Sequence, residues 1–168
     1  MMNIPGKMIA ILLLLMGTTV HAQQEITFKE GIVGQWEGQG TLFGTDAAFK
    51  MHWTTTLNDK FVKLSFQNQF VDKSGTTRVM KASAFYNLEK KEGYWFDSRG
   101  LMLPLKLEPA AQSLTVWWGD ESTEQGKTVY TLLGKKRLNV EDYVLKDNSY
   151  MSFGKAQYQK SSVEQGQN

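Results

Sequence analysis

The chain has 168 residues, with 19 Lys and Arg against 17 Asp and Glu, and the two signs are interspersed along it. Phosphate backbones are held by a clustered basic face. The nearest approach to one, Lys135-Lys136-Arg137, falls where a hairpin tip is expected, so nucleic acid is excluded as a partner. No cysteine is present, which leaves neither a disulfide framework nor a lipid-modified cysteine, and the fold must hold through its core alone.

Lys7 precedes the apolar run Met8 to Met16, and the chain then turns small and polar up to Val20-His21-Ala22. That order reads as a secretory signal over residues 1–22, cleaved after Ala22, which implies export to the periplasm or beyond. An apolar run of about nine residues falls short of the roughly twenty needed to span a bilayer, so a retained anchor is the weaker reading. Residues 23–168 form one domain, since about 146 residues bury roughly two thirds of their unfolded surface without a second core. Between Glu25 and Val33, Phe28, Ile32 and Val33 stand at near-helical spacing and predict a short helix that plugs one end.

From Gly34 onward the apolar period changes to two, that of a strand with one buried face. In the second strand Ala47, Phe49, Met51, Trp53, Thr55 and Leu57 oppose Ala48, Lys50, His52, Thr54 and Thr56. In the third Val62, Leu64, Phe66 and Phe70 oppose Lys63, Ser65, Gln67 and Gln69; in the fourth Met80, Ala82, Ala84 and Tyr86 oppose Lys81 and Ser83. Turn residues such as Asn58-Asp59, Asp72 to Gly75, Arg99-Gly100, Gly134-Lys135 and Asp147-Asn148 divide the pattern. The resulting strands are 34–43, 47–57, 60–71, 77–87, 93–98, 101–107, 113–118, 127–133, 137–145 and 150–160. Pro104 cannot donate to a ladder, so an edge, bulge or gap is expected there.

Hairpin-linked strands with no helical period between them predict an all-β, up-and-down antiparallel barrel of about 8–10 strands, because closure removes exposed edges. Such a barrel can be filled by side chains or can hold one small ligand. A membrane barrel would invert the faces, with apolar residues to lipid and polar ones to the lumen. Bulky Trp53, Phe66 and Tyr86 on the apolar faces, without aromatic girdles, favour a barrel that makes no stable membrane insertion.

The first strand opens Gly34-Gln-Trp36-Glu-Gly38-Gln-Gly40, which resembles the Gly-x-Trp opening of the calycin, or lipocalin-like, barrels in the form seen in nitrobindin-like and bacterial lipocalin-like domains. A Leu57 to Val62 hairpin, Tyr94-Trp95-Phe96-Asp97 with Gly100 after it, and a closing Tyr158-Gln-Lys160 follow. With these the chain is most similar to small exported bacterial domains of the DUF1579 type, over nearly all of 23–168. The resemblance implies a basic side chain from the last strand over the indole, with Lys155 or Lys160 as carrier. Independently of it, Gly34, Trp36, Gly38 and Gly40 share one strand face. Trp36 can therefore close the barrel end while the glycines admit a neighbouring backbone, which makes Trp36 a core closure ahead of a ligand contact.

Chemistry has few carriers here. His52 is the one histidine after the signal, and it stands on a polar strand face. Zinc needs three or four converging ligands, so no metal is expected. The haem-binding nitrobindins take their histidine from the C-terminal part of the barrel, where this chain has none, so no cofactor is implied. The nucleophile pattern Gly-x-Ser-x-Gly is absent. Glu141 and Asp142 lie on opposite faces of one strand and cannot pair as acid and base. Asp97 and Arg99 share a face with Trp95 and form either a polar anchor at a cavity mouth or a surface ion pair.

The expected function is therefore binding rather than catalysis. A small apolar or amphipathic molecule would be lined by Met51, Trp53, Phe66, Met80, Tyr86 and Trp118, with Tyr143 a further candidate, since such sites are largely aromatic and aliphatic with few polar groups. Two other readings stay open: an envelope scaffold with a filled barrel that meets a partner through the acidic loop Gly119 to Gly126, and a barrel hydrolase or isomerase built on Asp97, Arg99 and Asp142. The residues set no oligomeric state.

Overall fold

A computed structural model describes residues 27–161; the secretory signal expected over 1–22 and the cleavage expected after Ala22 lie outside the described residues. A five-residue helix, α1 (Phe28–Ile32), precedes ten strands. These are β1 (Gly34–Leu42), β2 (Thr45–Thr56), β3 (Phe61–Val71), β4 (Thr77–Asn87), β5 (Glu92–Asp97), β6 (Met102–Pro109), β7 (Ser113–Trp118), β8 (Gly126–Leu132), β9 (Arg137–Lys146) and β10 (Ser149–Lys160). Each strand pairs antiparallel with its neighbours in sequence, and β1 pairs with β10 from Trp36 opposite Lys160 to Leu42 opposite Gly154, which closes the ring. This is the up-and-down barrel that the alternation predicts, and no strand end differs from the sequence reading by more than two residues.

The inward faces are those with the apolar parity. Phe49, Met51 and Trp53 on β2, Val62 and Leu64 on β3, and Ala84 and Tyr86 on β4 are all buried. Lys50, Lys81, Lys106 and Lys155 stand outside. The buried inward-facing side chains form one continuous cluster around the inside of the barrel, as a sheet curled on itself requires.

Two local expectations, on Leu57 and Tyr143, are corrected, and the one on Pro104 is narrowed to the end of a ladder. Leu57 does not continue the inward face of β2; the strand ends at Thr56, and Leu57 turns out in a left-handed conformation (φ 52°), 64% exposed. The run Leu57-Asn58-Asp59 all has positive φ, which Asn and Asp tolerate and which ends the pairing. Pro104 causes no bulge: it stands opposite Tyr94 in an unbroken β5–β6 register. Its carbonyl accepts from Gly119 N–H (3.0 Å) just beyond the last β6–β7 pair, Leu105 opposite Trp118, so its missing N–H falls where that ladder already ends. Tyr143 points outward, where its hydroxyl donates to Glu141 and Lys127 lies 5.0 Å from its ring.

The helix is too short to stand by itself. Thr27 and Glu30 cap each other's backbone N–H groups at its start, Phe28 and Ile32 are buried against the barrel, and Lys29 Nζ donates to the Asp59 carbonyl in the β2–β3 turn (2.9 Å). It thus plugs the end of the barrel at which β1 begins and β10 finishes.

Candidate functional site

The barrel is hollow. A cavity of about 690 Å³ occupies its interior and is bordered by Phe43, Asp72, Arg99 and Glu124, residues of the β1–β2, β3–β4, β5–β6 and β7–β8 connections. Its mouth is therefore the end opposite α1. A second depression, about 720 Å³, lies on the outer wall over Gln39, Thr41, Asp46, Ala48 and Gln69; it is open to solvent and gathers no aromatic cluster.

Of the residues expected in the lining, Met51, Phe66, Met80, Tyr86, Trp118 and Arg99 border the cavity. Trp53 does not. It is 1% exposed and forms part of the packed floor, stacked on Tyr86 (centroids 5.2 Å apart) and edge-on to Tyr130 (5.3 Å). Several lining residues escape a reading limited to apolar parity. Phe153 is re-aimed inward by a β-bulge, where the β9–β10 register shifts between Ser152 and Gly154. Asn68 falls on the inward parity of β3 between Phe66 and Phe70, so the alternation itself locates it. It is 4% exposed, and its Oδ1 has no partner among the described residues.

Asp142 is the carboxylate of the inner wall. The alternation of β9 that turns Glu141 outward, 3.1 Å from Lys155, turns Asp142 inward. Trp118 Nε1–H donates to Thr128 Oγ1 (3.3 Å), and Thr128 Oγ1–H donates to Asp142 Oδ1 (2.6 Å), a chain across β7, β8 and β9. Burial, working against the Thr128 hydrogen bond, pushes the Asp142 carboxyl up to about 6. Burial likewise raises the hydroxyls of Tyr86, Tyr130 and Tyr158 around it, so these remain neutral donors and acceptors.

At the mouth Asp97 and Arg99 form an ion pair of which Arg99 alone borders the cavity, and it reaches further than its sequence spacing indicates. Burial opposes ionisation of Asp97, but hydrogen bonds from Arg99 and then from Trp95 outweigh it and hold the carboxyl below its ordinary value. Arg99 Nη2 lies 2.7 Å from Asp97 Oδ2 and also 2.7 Å from Glu124 Oε1, so it ties the β5–β6 turn to the β7–β8 loop. That loop is folded on itself, with Asp120 Oδ1 accepting from the Ser122 N–H (2.9 Å) and hydroxyl (2.7 Å). Across the rim Arg78 Nε meets Asp72 Oδ2 at 2.7 Å.

The opposite end is sealed. Trp36, 1% exposed, donates from Nε1 to the Ile32 carbonyl (2.7 Å). Lys160 is the basic cover: its Nζ lies 5.1 Å from the indole centroid and donates to the Gly31 carbonyl (2.8 Å), whereas Lys155 pairs outside with Glu141. The neighbouring glycines are constrained, since a Cβ on Gly38 would sit 2.5 Å from the Tyr158 ring and Gly34 has a φ of 132°, which side chains rarely adopt. His52 is exposed on the outer wall. Among the described residues no three His, Cys, Asp or Glu converge as a metal site, and no helix is long and apolar enough to cross a membrane. No protein-family model and no curated protein matches the chain.

Proposed function

We propose that the protein is an exported lipocalin-like carrier that holds one small apolar or amphipathic molecule inside the barrel, and that it binds rather than catalyses. The observation that carries this reading is the hollow of about 690 Å³, within the range of about 300–1,000 Å³ usual for small-molecule sites. Its wall supports it: Phe66, Trp95 and Trp118 supply flat apolar surface, Met51 and Met80 supply adaptable surface, and beside the tyrosine hydroxyls the polar side chains are Asn68, Thr128 and Asp142 inside and charged pairs at the rim. Arg78 and Arg99 at the mouth are each held by carboxylates. Kinship with the calycin domains of the DUF1579 type is supported by the Gly-x-Trp strand and the lysine over its indole. Export is supported by the pattern of residues 1–22, and an aqueous surrounding by the lysines of the outer wall.

The test is extraction of small molecules from natively purified protein, followed by titration of fatty acids and hydrophobic dyes against tryptophan fluorescence, since Trp95 and Trp118 border the cavity. Saturable one-to-one binding is expected, weakened by about tenfold or more in Met80→Trp, which fills the hollow while the melt stays cooperative. A barrel that takes up none of these molecules, or a Met80→Trp variant that binds as tightly as the wild type, overturns the reading.

A further inference from the structure

The cavity wall is not merely apolar; it carries one carboxylate with no cation to meet it. Among the described residues Asp142 takes part in no ion pair, and burial and the Thr128 hydrogen bond set its titration. The neighbours that face it are polar or apolar but never basic. Thr128 and Tyr130 come from β8, Gly154 and Tyr158 from β10, Tyr86 from β4, Leu42 from β1 and Trp118 from β7. The nearest bases by strand position are outside: Lys155 against Glu141, and Lys127 over the rings of Tyr143 and Tyr150. At the rim three carboxylates, of Asp72, Asp97 and Glu124, hold two guanidiniums, of Arg78 and Arg99, so the entrance supplies no spare positive charge either.

Three further features point the same way. Oδ1 of Asp142 is occupied by the Thr128 hydroxyl, while Oδ2 accepts no hydrogen bond among the described residues and packs near Gly154, where a Cβ would stand 3.0 Å from it. Asn68 Oδ1, buried in the same cavity wall, is a second acceptor without a donor. The aromatic faces of Trp118, Tyr158 and Phe153 carry the negative side of their quadrupoles, which attracts a cation. An anionic headgroup would meet like charge and surplus acceptors; an ammonium would meet a counter-ion, hydrogen-bond acceptors and ring faces.

Resting on the cavity reading above, we propose that the barrel selects molecules carrying a protonated amine on an apolar body, with the ammonium seated against Asp142. The carboxyl must be ionised for this, so the selectivity belongs to pH values above about 6 and fades below it.

Decylamine, decanol and decanoic acid, titrated against tryptophan fluorescence at about pH 8 and about pH 5, separate the possibilities; the ammonium stays charged and the alcohol neutral at both, so the pH arm compares these two, and the acid serves as the anionic probe at about pH 8. At the higher pH the amine is expected to bind at least about tenfold more tightly than the alcohol and the acid, and at the lower pH to lose most of its advantage over the alcohol. Asp142→Asn is expected to erase the preference while decanol binds as before. Thr128→Val keeps Asp142 but removes the hydrogen bond that lowers its titration, so the midpoint for amine binding moves to higher pH. This second variant carries the test should Asp142→Asn fail to fold. Equal or tighter binding of decanol or decanoic acid at the higher pH, or a preference that survives Asp142→Asn, overturns the amine proposal and leaves the cavity reading standing. Binding of none of the three overturns both.

Discussion

The two ends of this barrel are closed by different physics. At the α1 end the seal is apolar and continuous: Trp36, Phe28 and Ile32 are buried together, and Lys160 lies over the indole with its hydrogen bond made. At the mouth the closures are ionic and partly wet; Arg99 is 48% exposed and bridges two connections through Asp97 and Glu124. Apolar burial is worth more per residue and resists salt, whereas exposed pairs contribute little and can open. The molecule thus has one end closed by apolar burial and one end closed by exposed ion pairs, a polarity that agrees with the carrier function proposed above.

The strongest way to break that comparison is Trp36→Ala, expected to cost about 3–5 kcal/mol in urea denaturation and to free α1. A loss under about 1 kcal/mol would mean that the ring of strands holds the closed end unaided. At the mouth, Arg99→Ala is expected to cost about 1–2 kcal/mol, most of it from stranding Asp97, whose side chain is fully buried. Amide exchange in Gly119 to Gly126 should rise at the same time, and unchanged exchange there would show that the loop needs no tie to the β5–β6 turn.

Between the ends, Asp142→Asn tests the wall. The folded carboxyl titrates at about 6 against an ordinary 3.8, so between those values the folded form holds more protons than the unfolded one. Stability from this group therefore falls as pH rises through that window and stays lower above it. The substitution is expected to stabilise by about 1 kcal/mol near neutral pH, with the gain vanishing toward about pH 4; a gain independent of pH would place its origin elsewhere. Asp72, Asp97 and Glu141 titrate below their ordinary values and act in the opposite sense, losing stabilisation only as pH falls further. The smallest effect is expected from Glu124→Ala, under about 1 kcal/mol and smaller still at high salt, because that pair is half exposed.

Much of this was legible along the chain. Alternation in β2, β3 and β4 located Met51, Phe66, Met80 and Tyr86, because the period of a strand is set by its own backbone and needs no partner. The same parity held Asn68 and Asp142, which a search for apolar residues passes over. Phe153 was beyond such reading, since a bulge reverses parity only where two strands disagree in length.

The sequence by itself determined the strands, their inward faces, the turns and the closing tryptophan, all of which follow from local backbone preference and the burial of one face. Only the tertiary structure decided that the interior is hollow, that Trp53 belongs to the floor and not the wall, that Lys160 covers Trp36 while donating to Gly31, 129 residues away, and that Arg99 reaches Glu124. A cavity is the difference between the volume a closed ring encloses and the volume of side chains contributed by all ten strands. No single stretch of chain contains that difference, whereas each contains its own alternation.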